Sequence, residues 1–129
     1  MEKDFNSWNE QKKLLQERAK TQFYKEREVW WAKLGLNLGN EQDGKGKEFE
    51  SPVLIVKGFS RSTCLVFPLT TSRKRNRYTM LVGDVGGKEN AAIISQIRLL
   101  DTRRLVNKIC TLNPDIFINV KSALVVLSL

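Results

Sequence analysis

A chain of 129 residues with 41% hydrophobic and 28% charged side chains has the make-up of one ordinary globular domain, and it holds no apolar run near the roughly 20 residues that span a bilayer. It contains no histidine, which excludes imidazole acid–base chemistry and, with no CxxC pair, leaves little from which to build a zinc site. Its net charge of +8 lies almost entirely between residues 60 and 108, where ten basic side chains outnumber three acidic ones, a local field suited to a polyanion.

The first residues, MEKDFNSWNEQKK, carry no apolar centre of a secretion signal, so the reading is a cytosolic chain with no membrane association. Ser7 and Glu10 have capping-box spacing, and Phe5, Trp8, Leu15 and Ala19 fall on one side of a helix predicted to run to about Lys20. Such a face would pack on the domain core or on a second copy, the alternative being a separate interaction arm. From Glu26 the pattern changes: REVWWAKLG reads as a strand, and NLGNEQDGKGKEFE, with Gly39, Gly44 and Gly46, reads as a long exposed loop.

Four apolar runs follow, at 52–59, 62–69, 77–85 and 91–100, each predicted to be a strand. DTRRL is predicted to make one helical turn capped by Asp101, and KICTL a short strand. Asn113 and Pro114 form an N-cap and first-turn pair for a final helix with Ile116, Val120, Ala123 and Leu124 on one side. The fold class is therefore mainly β with helices (α+β), a small twisted barrel with a helix at each end. Cys64 and Cys110 lie far apart in apolar settings and read as reduced core thiols.

The glycines of QDGKGKEF and VGGKEN lack the spacing of a phosphate-binding loop and read as turns. Glu41, Asp43, Asp84 and Asp101 form no metal-binding series, so neither a metal nor another cofactor is assigned. PLTTSRKR is more suggestive, because Thr70 and Thr71 end a strand where the chain turns basic. Hydroxyls and amides beside a cationic loop can hold a phosphate and orient a ribose.

REVWWAKLGLNLGNEQDGKGKEFESPVLIVKGF, then PLTTS, then AIISQIRLLDTRRL together resemble the PemK/MazF family of toxins from bacterial type II toxin–antitoxin systems. The resemblance runs from Glu26 to the final helix, and the start of the chain is similar to a helical extension carried by one branch of that family. It divides the chain into an N-terminal extension, residues 1–24, and a barrel domain, residues 25–129. It implies an SH3-like barrel that forms a homodimer in the bacterial cytoplasm. It further implies a metal-independent, sequence-selective endoribonuclease acting on single-stranded RNA, with a cognate antitoxin as partner and operator DNA reached through that antitoxin.

In the family, an arginine immediately before Pro-Val and a hydroxyl at the end of the next strand carry the chemistry. The hydroxyl corresponds to Thr70, with Thr71 beside it, but the arginine position holds Ser51. Serine supplies neither a fixed positive charge nor a bidentate grip on phosphate. The expectation is RNA and antitoxin binding with impaired cleavage, whether the change is engineered or natural, unless Lys45, Lys47 or Arg73 reaches in. The resemblance also makes Glu41 and Gln42 of the loop, and Gln96 and Arg98 of SQIR, candidate RNA contacts. Two other functions stay open: a toxin that traps a topoisomerase without cleaving, and an operon-regulating nucleic-acid-binding module.

Overall fold

The computed structural model describes residues 23–34 and 50–129. The expected N-terminal helix, and the loop carrying Glu41, Gln42, Lys45 and Lys47, lie outside the described residues. Within them run seven strands, β1 (Glu28–Lys33), β2 (Glu50–Gly58), β3 (Thr63–Thr70), β4 (Thr79–Val85), β5 (Lys88–Ile93), β6 (Arg98–Asp101) and β7 (Leu105–Thr111), followed by helix α1 (Pro114–Leu127). The strands form one curled antiparallel sheet in the order β4-β5-β3-β2-β1-β7, with β6 on β3. This is the mainly β architecture with a closing helix that the sequence pattern predicts.

The unbroken apolar run of β2 is explained by burial on both faces, since successive side chains of a strand point to opposite sides. Leu54 and Val56 join Val29, Phe67, Phe117 and Val120 in one core, while Val53 and Ile55 join Trp30, Cys64, Val66 and Leu100 in the other. Helix α1 covers the first core. Asn113 caps it by accepting from the Asp115 and Ile116 amides, and Pro114 sits in its first turn. Ile116, Val120, Ala123 and Leu124 face the core as expected, and Phe117 and Leu127 join them.

The run at 91–100 departs from the expected single strand. It divides into β5, a 3-10 turn at Ile94–Gln96, and β6. Both strands pair with the same edge of β3, β6 along Thr63–Val66 and β5 at Leu69 and Thr70, and the register is offset by three residues between them. The three residues of the turn take up that offset, with Ile94 buried at its start. The predicted helical turn after β6 is also present, Asp101 accepting from the Arg103 amide.

Two local devices fix the ends of the sheet. The β4–β5 hairpin closes with Val85 opposite Lys88, so its loop is the pair Gly86 and Gly87, both at positive φ, where a residue without a Cβ avoids the steric penalty. At the other end Arg27 holds φ at 80°. Its amide donates to the Ile55 carbonyl, its carbonyl accepts from Leu112 and its Nε donates to the Leu112 carbonyl.

Both cysteines are free thiols. Burial, together with the nearby Asp101 charge, pushes the fully buried Cys64 up to about 11, so it remains a neutral core group at physiological pH.

Glu28 is a buried carboxylate, 8% exposed. Its Oε1 accepts from the Trp30 indole and the Lys25 amide, each at 2.9 Å, and its Oε2 lies 3.2 Å from Lys108 Nζ. Burial alone would raise its pKa, but the indole, amide and ammonium outweigh that and hold it below the ordinary value. A depressed carboxylate stabilises the fold above its unfolded pKa, and that contribution is lost as pH falls through the folded value. Glu28→Leu strands the indole N–H and should cost about 1–3 kcal/mol at neutral pH. Urea midpoints of the two proteins should lie closer together at about pH 3 than at neutrality.

Candidate functional site

The site is built where the β2–β3 ladder stops. Val53 opposite Pro68 is its last rung, and Pro52 and Pro68 lack the amide donor that a ladder needs. Continuing the same count two residues further sets Ser51 opposite Thr70, where the two strands are no longer paired. On their outer edges both strands stay paired, Ser51 with Ala32 on β1 and Thr70 with Ala91 on β5. The divergence opens a cavity of about 420 Å³ lined by Trp31, Pro52, Leu69, Thr70, Thr71, Val85, Gly86, Lys88 and Asn90.

Thr70 is half-buried, and its Oγ accepts from the Ser72 amide at 3.0 Å. That bond leaves the hydroxyl proton available to a ligand and anchors the start of the basic loop. In the loop, Ser72 Oγ accepts from the Lys74 amide, Arg75 turns back onto the Ser72 and Lys74 carbonyls, and the Arg77 guanidinium lies 5.3 Å from the Tyr78 ring centre. Arg73 is exposed and forms no ion pair with a described residue.

The sequence-derived candidates separate into three groups. Thr70 and Thr71 line the cavity, and Ser51 adjoins its Pro52 wall. Gln96 is exposed on the 3-10 turn, and Arg98 sits on β6 opposite Val66, so neither is part of the lining. Glu41, Gln42, Lys45 and Lys47 fall outside the described residues. Of the remaining basic residues, Arg103 forks onto Asp101 with contacts of 2.6 to 3.1 Å, and these hydrogen bonds hold the Asp101 carboxyl at about 2.

Trp31, Lys88 and Asn90 are lining residues that the sequence reading did not single out. VGGKEN identified the turn, but only strand pairing shows that the turn delivers its lysine to the Thr70 cavity. Lys88 is the one charged side chain among the described lining residues. A hydroxyl, an ammonium and a half-buried indole around one cavity can hold a phosphate, orient a ribose and stack a base. Among the described residues no group of three metal-type ligands comes together, and no helix is long and apolar enough to cross a membrane.

A family model described as the PemK-like, MazF-like toxin of type II toxin-antitoxin systems matches residues 25–127. No curated protein matches the chain significantly. Among solved structures, MazF from Deinococcus radiodurans is similar at 15% identity, covering 84% of this chain and 99% of its own, with a TM-score of 0.63. An endoribonuclease from a mycobacterial species aligns at 18% identity over 84% of this chain and 95% of its own, also at 0.63. A mycobacterial endoribonuclease in complex with its cognate antitoxin aligns at 19% identity over 83% and 97%, again at 0.63. At these identities the structural likeness establishes the fold.

The bond from Thr70 to Ser72 can be tested apart from any activity. Thr70→Val removes the acceptor and should cost about 0.5–1.5 kcal/mol in urea unfolding, whereas Thr70→Ser should remain near the unmodified chain. Equal losses in the two variants would count against the bond.

Proposed function

The chain belongs to the PemK-like, MazF-like toxin family of type II toxin–antitoxin systems, and from that premise we propose that its cavity binds single-stranded RNA as an endoribonuclease site weakened at Ser51. The observation that carries this reading is the end of the β2–β3 ladder at Val53 and Pro68, two residues short of Ser51 on one strand and of Thr70 on the other, beside the cavity that Thr70 lines. Thr70 lines the cavity and Ser51 is the chain neighbour of Pro52 in its wall, which supports a shared role for two positions remote in sequence.

In the proposed reaction the ribose 2′-oxygen attacks the adjacent phosphorus and the 5′-oxygen leaves. The products are a 2′,3′-cyclic phosphate and a 5′-hydroxyl. One proton leaves the attacking oxygen and one reaches the leaving oxygen, and negative charge builds on the phosphoryl oxygens between. No metal is required. Thr70 can donate to a phosphoryl oxygen, because its own oxygen is already occupied by the Ser72 amide. A guanidinium at position 51 would add a forked, permanently charged donor, and Ser51 offers only a neutral hydroxyl.

The exposed basic loop from Arg73 to Arg77 gives such a site its long-range field, for RNA or for an acidic segment of a cognate antitoxin. Exposed Leu99, Ile118, Val125 and Val126 supply apolar surface for a homodimer or for that antitoxin. Through the antitoxin the complex would reach operator DNA.

The decisive comparison is between the unmodified chain and Ser51→Arg, each incubated with a long unstructured RNA and a chelator. The arginine variant should cut at specific sites on the order of 10² to 10³ times faster. Failure of both to cut would count heavily against the ribonuclease reading and favour a toxin that acts by binding. Efficient cutting by the unmodified chain would refute the disabling role of Ser51.

A further inference from the structure

We propose that Lys88, held in place by the buried amide of Asn90, is the phosphate-binding cation of this cavity and stands in for the guanidinium absent at Ser51. This inference rests on the RNA-binding reading above and adds the residues that grip the nucleic acid.

The hairpin decides where Lys88 can be. Val85 and Lys88 face each other across the two-glycine turn, and both line the cavity that Thr70 enters. A two-residue turn leaves the lysine backbone little freedom, in contrast to the cations of the long basic loop. No described carboxylate pairs with the Lys88 ammonium, and the other described lining residues are uncharged. Among its described lining residues the cavity therefore presents one cation together with the hydroxyl residues Thr70 and Thr71. An ammonium is a point charge without the fork of a guanidinium, so it can hold a phosphate without reproducing the geometry of the missing arginine. Binding without efficient cleavage follows from that difference.

Asn90 supplies the second, independent observation. It is 2% exposed, and its Nδ2 donates to the Lys88 carbonyl at 3.0 Å. Because a carbonyl can only accept, the amide nitrogen must face Lys88, which fixes the side chain's orientation. The consequence is a buried Oδ1 with no hydrogen-bond partner. An unsatisfied buried acceptor is a cost that cores avoid, and alanine or valine at this strand position would not incur it. The bond that Asn90 does make goes to the backbone of the cavity's cation. We therefore read Asn90 as a positioning residue for Lys88.

The test measures binding of a short fluorescent RNA carrying 2′-O-methyl riboses, which cannot undergo the cleavage step, across a series of salt concentrations. Lys88→Gln should weaken binding roughly five- to tenfold and lower the slope of log affinity against log salt by about 0.7, the value for one phosphate contact on a single strand. Lys88→Arg should retain both. Asn90→Leu should weaken binding several-fold with a reduced slope, and combining it with Lys88→Gln should add nothing further, as expected for groups that act as a unit.

Unchanged affinity and slope in Lys88→Gln would overturn the inference and leave the RNA reading standing. No RNA binding by the unmodified chain would overturn both. Additive losses in the double variant would remove Asn90 from the assignment. Lys88 is exposed, so its variants should fold even if Asn90→Leu does not.

Discussion

One edge of β3 has to serve two strands, and most of the molecule follows from that demand. Its other edge is taken by β2, so the rest of the sheet must reach β3 from a single side, β6 along the first half and β5 at the last two residues. The 3-10 turn exists to make that transfer. On its opposite edge β3 stays paired with β2 only as far as Pro68, and the prolines at 52 and 68 end that ladder where β5 joins. A cavity at the point of separation is the geometric result. The residues at its rim belong to strands that are well fixed elsewhere.

The same geometry organises the charge. The basic excess is continuous in sequence but not in role. Arg103 is neutralised by Asp101, Arg75 satisfies carbonyls of its own loop, and Lys108 partners the buried carboxylate of Glu28. Among the rest, the exposed loop around Arg73 contributes to the field, and Lys88 lines the cavity. Long-range attraction and close contact are thus assigned to different cations. A loop that steers a polyanion can be mobile and strongly hydrated, whereas a residue that grips a phosphate gains from a fixed backbone.

Much of this was legible in the sequence, and the boundary has a physical cause. Strands with continuous apolar runs, the helix capped by Asn113 and Pro114, and the turn capped by Asp101 all announce themselves through local pattern. Thr70 is legible because a hydroxyl pair at a strand end beside a basic loop is a local signal, and Ser51 because a family pattern makes its difference visible. The break at Ile94–Gln96 was not legible, since it compensates a register offset on another strand and has no cap or glycine of its own. Lys88 and Asn90 were hidden for a related reason. A turn lysine and a strand asparagine look ordinary until non-local pairing sets them beside Thr70.

The hairpin that carries Lys88 is a locally closed unit, since β4 and β5 pair with each other across a two-residue turn. Among the described residues, only the Leu69 and Thr70 rungs tie it to the main sheet by backbone pairing, with the packing of α1 behind it. Strands β1, β2 and β7, by contrast, are bound by pairings between distant parts of the chain. The two parts of the sheet are therefore joined largely by side-chain packing, Val82, Val85 and Ala92 of the hairpin sharing the first core with Val29, Leu54 and Phe67, and the cavity lies on the seam. The position of Lys88 relative to Thr70 is therefore set by the first core as much as by backbone pairing, so a cavity-making substitution at Val82 or Val85 reaches the site without touching its lining polar groups.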